Sequence, residues 1–182
     1  MERGLVERAM RGDEDAFDTL VEQVGDGLYS VARRILRDTT LAEDATQQAL
    51  LAAWRFLPRL RDPERFEAWA YRLVVNACNA EARREGRQRG HLRLLPHDEP
   101  TASDPALGMD VNDQLDRAFR RLSLEHRTVV VLVHYVGLTP AEAAAAMGTP
   151  TGTTRSRLHY ALQHMRAAIE ADARTATKRG MA

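Results

Sequence analysis

The chain has one cysteine, Cys78, in 182 residues. An internal disulfide is excluded, and so is a zinc site built from several thiolates. A lone thiol is compatible with a reducing compartment. Aromatic residues make up only 5% of the sequence, so any core must rest on leucine, valine and alanine. Lys178 is the only lysine; arginine carries the positive charge, and no function follows from that. No run approaches the roughly 18 apolar residues of a membrane span, and the first residues hold no leader-like apolar stretch. The expectation is a cytoplasmic protein that is not integral to a membrane. Strand-type alternation is nearly absent as well. The apolar positions recur at helical spacing, which predicts an all-α fold.

The formal charge is zero, from 26 basic and 26 acidic side chains. That balance speaks against a nucleic-acid ligand until the distribution is considered. Residues 1–44 carry 6 basic and 11 acidic groups (net −5), and residues 45–93 carry 10 and 5 (net +5). Residues 94–112 carry none and 4 (net −4), and residues 113–182 carry 10 and 6 (net +4). Two anion-binding surfaces held apart by an acidic spacer fit this alternation. Uneven surface charge is the plainer alternative.

The spacing predicts a first helix over residues 5–11. A second follows Asp13 and ends near Leu36, with Gly25 and Gly27 as a kink or break. A third starts at Thr40, where Thr40-Leu41-Ala42-Glu43 has capping-box form, and ends before Pro58. A fourth opens at Asp62-Pro63, an N-cap followed by proline at the first helical position, and runs to about Arg84. Residues 85–112 contain Gly86, Gly90, Pro96, Pro100, Pro105 and Gly108 with little periodicity; a linker between two small helical domains is expected there. Four more helices follow: 111–122, then 124–136 stopped by Gly137, then 140–147 behind the capping box Thr139-Pro140-Ala141-Glu142, and 152–174 after Gly148. The tail from Thr175 is expected to be disordered. The divisions are 1–85, 86–112, 113–174 and 175–182.

The last two helices and the glycine between them have helix-turn-helix form. In the final helix Leu158, Leu162, Met165 and Ile169 fall within about 40° of one direction and form the expected buried seam. The opposite face holds Thr153, Ser156 and Tyr160, flanked by Arg157 and His159, with Gln163 one turn on. No acidic residue lies between Thr149 and Ile169. Polar groups at the start of a helix, with arginines beside them, suit base edges in a major groove and the phosphates around it. A surface helix that is merely basic is the alternative.

The fourth helix carries a second segregated face. Phe66, Trp69, Leu73, Ala77 and Ala80 are the expected seam. Beside it Arg65, Arg72, Asn76, Asn79 and Arg83 form a narrow stripe, with Trp69 at its border. Arginines around paired amides next to an aromatic ring suit a strand whose bases can be stacked and hydrogen-bonded; a solvated polar face is the alternative. In the third helix Leu41, Ala45, Ala49, Ala52 and Phe56 supply the seam. Leu50, Leu51 and Trp54 project elsewhere, beside Asp44 and Gln47. They imply either a protein partner or cover by the first or second helix.

The segments AFDTLV, ILRDTTLAEDATQQALLAAW, DPERFEAWAYRLVVNAC and LSLEHRTVVVLVHYVGLTPAEAAAAMGTPTGTTRSRL occur in this order. Together they resemble the sigma-70 family of transcription initiation factors, of the extracytoplasmic-function (ECF) type, over about residues 10–85 and 113–172. The resemblance implies a factor that binds core RNA polymerase and promoter DNA and needs no cofactor. It implies that the helix with Asp44, Gln47, Gln48, Leu51 and Trp54 docks on the polymerase clamp. It implies that Leu60-Arg61-Asp62-Pro63 and the helix after it recognise and melt the −10 element. Arg61, Asp62, Arg65, Trp69, Arg72, Asn76, Asn79 and Arg83 are then the contact residues, with Asn76 near a flipped nontemplate base. Arg155, Ser156, Arg157, His159 and Tyr160 match the −35 reading positions, and Thr153 joins them from the helix face. The acidic spacer resembles the segment that threads the RNA-exit path. Family members commonly have an anti-sigma partner. Tyr160 stands where many relatives have a basic residue, and Leu124 replaces a common proline.

Two other functions were weighed. A stand-alone dimeric helix-turn-helix regulator explains the C-terminal half but neither the fourth-helix stripe nor the Leu50/Leu51/Trp54 face. An enzyme finds little support. His91, His97, His126, His134, His159 and His164 lack ligand-like or triad-like spacing, and His-Glu-x-x-His is absent. No fixed-period repeat supports a helical scaffold.

Overall fold

A computed structural model of the chain describes residues 2–92 and 111–180, with side chains over 2–87 and 114–172. All regular structure among the described residues is helical. The helices are α1 (Arg3–Met10), α2 (Glu14–Leu36), α3 (Thr39–Phe56), α4 (Phe66–Leu92), α5 (Val111–Arg120), α6 (Leu124–Val130), α7 (Pro140–Met147) and α8 (Thr151–Gly180). Short 3-10 turns at Leu57–Arg59 and Pro63–Arg65 join α3 to α4. Most of the expected linker, residues 93–110, lies outside the described residues.

Side chains set the helix starts. The Asp13 carboxylate accepts from Ala16 N–H at 2.9 Å, the Asp62 carboxylate from Glu64 N–H at 3.1 Å and Ser123 Oγ from His126 N–H at 3.3 Å. Each satisfies a donor that the first helical turn leaves orphaned. The expected box at Thr139 forms in full: Glu142 N–H donates to Thr139 Oγ1, and both Thr139 N–H and Oγ1–H donate to the Glu142 carboxylate. Those bonds hold the Glu142 carboxyl below the usual carboxylate range. Gly148 ends α7 at φ +64°, in the left-handed region where glycine has no Cβ penalty.

Several expectations are corrected. The third helix is capped by Asp38, whose carboxylate accepts from Leu41 N–H at 2.9 Å, and not by Thr40. Gly25 and Gly27 do not break α2. Its apolar seam from Ala16 to Ile35 is buried on both sides of them, and that burial outweighs about 1 kcal/mol of propensity per glycine. α4 continues past Arg84 to Leu92, through Gly86 and Gly90. The 175–182 tail is helical to Gly180; alanines and the absence of proline let α8 propagate. The 124–136 helix changes register after Val130 into an i→i+5 turn, with Val136 N–H donating to Val131 O at 3.0 Å.

The seams are also rotated from those expected. In α3 the buried residues are Ala42, Ala45, Thr46, Ala49 and Ala53, while Phe56 is exposed. In α4 the deepest are Ala70, Val74, Val75 and Cys78, with Trp69, Leu73 and Ala80 half-buried. In α8 the buried line is Thr154, Ala161 and Met165, and Leu162 is exposed. Helices approach these elements from two sides, so small residues face inward where backbones come close. Thr154 is accommodated by a 2.7 Å hydroxyl–hydroxyl bond to Thr149. Burial pushes the Cys78 thiol up to about 12, which leaves it un-ionised and inert at neutral pH.

Three apolar clusters hold the chain together. One joins α1, the start of α2, the end of α3 and Phe66. A second joins α5, α6 and α8 through Ala118, Leu122, Val130, Ala161 and Met165. The third is shared: Val31, Ile35, Ala45, Val74 and Cys78 from the first half pack with Val131, Leu132, Ala143 and Ala146 from the second. α7 lies on α4, and α6 with its wide turn lies on α2.

Candidate nucleic-acid interface and docking face

The N-terminal face of α8 is open. Thr153, Arg155, Ser156, His159, Tyr160 and Gln163 are exposed, Tyr160 to 55%. The His159 ring meets Tyr160 edge-on at 5.8 Å. α7, the capped turn and the Thr149–Thr154 bond fix how this face is presented. Arg157 is different. Its Nη2 lies 2.7 Å from Glu125 Oε2 on α6, and only 24% of its side chain is exposed. A residue predicted to meet phosphate thus already holds a carboxylate. Sequence reading missed Glu125, because nothing local links positions so far apart in the chain.

Glu125→Gln is expected to tighten −35 DNA binding by about two- to fivefold, the scale of an exposed ion pair. The salt slope should steepen by up to one counterion. Arg157→Ala should weaken binding and flatten that slope. Fluorescence anisotropy of the polymerase-bound chain over a salt series reads both variants. An unaltered slope in both would remove Arg157 from the phosphate contacts.

Along α4 the stripe is placed as expected. Arg65, Arg72, Asn76 and Arg83 are exposed and Asn79 is half-buried. Trp69 is half-buried and tilted against Phe66, with ring centroids 6.0 Å apart. Arg61 and Asp62 are exposed at the helix entry, where the Asp62 carboxylate both caps the turn and lies 3.3 Å from Arg65 Nε. The stripe is therefore a run of donors on the wet side of a helix whose other faces are packed. Glu81 lies behind it, with 3% of its side chain exposed, accepting from Gln48 Nε2 and pairing with Arg84 at 3.4 Å. Gln48, predicted to meet polymerase, is engaged in clasping α3 to α4.

The α3 outer face carries the expected anomaly. Leu51 is 61% exposed and Trp54 is 45% exposed. Trp54 stands edge-on to Phe17 of α2 at 4.8 Å, and Leu50 is half-buried against the shared core. Between α2 and α3 a groove of about 530 Å³ is walled by Phe17, Val21, Thr46, Leu50, Leu51 and Trp54. Gln47 is exposed and Asp44 half-buried on the same helix. α1 and α2 leave this apolar surface only partly covered. Among the described residues no cluster of His, Cys, Asp and Glu could hold a metal ion, and no helix is long and apolar enough to cross a membrane.

The two halves carrying these faces match known proteins separately and together. Residues 20–88 match the family model Sigma-70 region 2, and residues 118–167 match Sigma-70, region 4. The ECF RNA polymerase sigma factor SigE of Mycolicibacterium smegmatis is 34% identical over 167 residues, covering 85% of this chain and 63% of that protein. The ECF RNA polymerase sigma factor SigM of Mycobacterium tuberculosis is 32% identical over 153 residues, covering 84% and 76%. Among solved structures, CnrH in complex with the cytosolic domain of CnrY superposes with a TM-score of 0.66 at 29% identity, over 93% of this chain and 97% of that one. The sigma factor RpoE of Bartonella quintana, solved with the anti-sigma factor NepR, shares the fold at a TM-score of 0.70 and 22% identity, over 86% and 98%. With both family regions present in order and a relative above 30% identity matched over three quarters of its length, this chain belongs to the sigma-70 family and is a sigma factor of the ECF type.

Proposed function

We propose that the chain docks on core RNA polymerase through the Leu51/Trp54 face of α3, recognises and melts the −10 element with the α4 stripe, and reads the −35 element with the N-terminal face of α8. The observation that carries this reading is the presence of three separate exposed surfaces on one chain, one apolar and two built for nucleic acid. A dimeric operator binder needs one recognition helix per subunit and a self-complementary interface; it leaves the other two surfaces without a role. The chain supplies no bond-making step. Its contribution is placement of donors, charges and an aromatic ring on DNA that polymerase holds. It works in the cytoplasm, at the nucleoid with polymerase. The functional units are residues 1–85 and 113–174, joined by the acidic spacer 86–112. An anti-sigma factor is the expected third partner, in keeping with the likeness to CnrH, solved with the cytosolic domain of CnrY.

Light scattering and anisotropy with a promoter duplex, with and without core enzyme, separate this reading from the regulator. The expected result is a monomer that binds promoter DNA weakly alone and tightly with core. A stable dimer that binds an operator tightly without core would replace it.

A further inference from the structure

The two reading faces are carried on halves that are packed against each other. α8 lies on α7, and α7 lies on α4. Packed helices sit about 8–10 Å apart, so the α8 and α4 axes are within about 20 Å of each other. The −35 and −10 elements are by their names about 25 base pairs apart, about 85 Å of duplex at ~3.4 Å per pair. The packed chain cannot lie on both. On the reading proposed above, the halves must part, and the 18 residues from 93 to 110 have a contour of about 60 Å for that.

The seam that must part has a definite construction. The Arg37 guanidinium at the end of α2 donates to both Asp116 oxygens of α5, at 2.7 and 3.2 Å. Both side chains are partly buried. Arg37 is held there in a left-handed conformation at φ +60°, closing α2. Arg34 places its guanidinium 3.7 Å from the centroid of the Tyr135 ring, on the wide turn after α6. Under these polar contacts lie Val131, Leu132, Ala143 and Ala146, in one cluster with Val74 and Cys78.

The seam is also short of negative charge. Asp116 accepts from Arg37 and also from Arg120 of its own helix at 2.8 Å. Arg127 of α6 lies beside Arg37 with its Nε buried and without a hydrogen-bond partner. Burial, and then repulsion from Arg37, lower the pKa of Arg127. An unpaired cation out of water destabilises whatever arrangement buries it. One contact thus holds the halves together while another pushes them apart, and both are released when the halves separate.

We propose that this seam is an intrachain latch: the Arg37–Asp116 bridge holds the free chain in a closed form that cannot span a promoter, and buried Arg127 keeps that form only marginally favoured. Docking on polymerase then draws on a chain that opens at modest cost. The closed form hides neither reading face; it disables them jointly, by keeping them too close together.

Energy transfer between dyes on Glu22→Cys and Arg166→Cys, both exposed positions, tests the latch in the full chain, since the buried native Cys78 stays unlabelled. Free wild-type chain should show mainly high transfer. Asp116→Asn should lower the closed-to-open ratio at least tenfold, and Arg127→Met should raise it several-fold. Core polymerase should convert all three to low transfer. Opposite shifts from two single substitutions cannot come from misfolding, and circular dichroism should stay at the wild-type value for both. A ratio unmoved by Asp116→Asn, or shifted in the same direction by both variants, would overturn the latch. This result is independent of transcription: a chain that latches but directs no start site would reject the promoter reading and leave the seam standing.

Discussion

Leu51→Asp is expected to abolish association with core polymerase while leaving the fold intact. Leu51 stands 61% exposed at the rim of the α2/α3 groove, so the free chain loses almost nothing when it is replaced. In the docked state the loss is twofold. Burying a leucine against a partner contributes about 1.5–3 kcal/mol. An unpaired carboxylate trapped in an apolar contact costs at least about 2 kcal/mol more. A combined loss of about 4 kcal/mol is roughly a thousandfold in affinity. Co-purification with core enzyme and the thermal midpoint of the free chain are the two readouts. Retained co-purification would clear the α3 face of this role. A collapsed midpoint would mean that the side chain supports the fold instead. Trp54 is a less clean probe, because its ring also packs on Phe17.

Asn76→Ala is the second large effect, and its signature is a split between two steps. Asn76 is exposed in the middle of the α4 stripe, between Arg72 and Arg83. Phosphate contacts by the arginines govern initial binding and carry its salt dependence. An amide at this place can act only on a base that has left the stack. Its loss removes hydrogen bonds made late, worth about 1–3 kcal/mol when a buried partner is left unpaired. Open complexes, read by reactivity of unpaired thymines, should fall by about tenfold or more, while closed-complex binding changes by less than about twofold. Equal loss at both steps would make Asn76 an ordinary docking contact.

The sequence reading succeeded where the signal is local and failed where distant residues meet. The helix-turn-helix was legible because the Thr139/Glu142 box, the Gly148 stop and the polar start of α8 lie within a few residues of one another. The open α8 and α4 faces followed from helical periodicity for the same reason. Seam residues were misassigned by a fraction of a turn. Periodicity favours the largest side chains, whereas close approach of α3 and α7 to α4 puts Ala70, Val74 and Cys78 inside and leaves Trp69 half-buried. Leu162 was assigned to the core on the same grounds, but Ala161 and Met165 take that place in α8. Two neighbouring N-cap candidates, Asp38 and Thr40, could not be ranked by pattern; the carboxylate also complements the positive end of the helix. The Arg157–Glu125 and Arg37–Asp116 pairs left no trace in spacing at all. They depend on which helices become neighbours, and they alter what the chain's arginines are free to do.

Run-off transcription with purified core polymerase and this chain, with start sites mapped on genomic DNA, tests the central claim most directly. Discrete start sites that vanish without the chain, each preceded by two shared sequence elements at fixed spacing, are the predicted result. Core enzyme that ignores the chain, with no start site gained, would contradict the account.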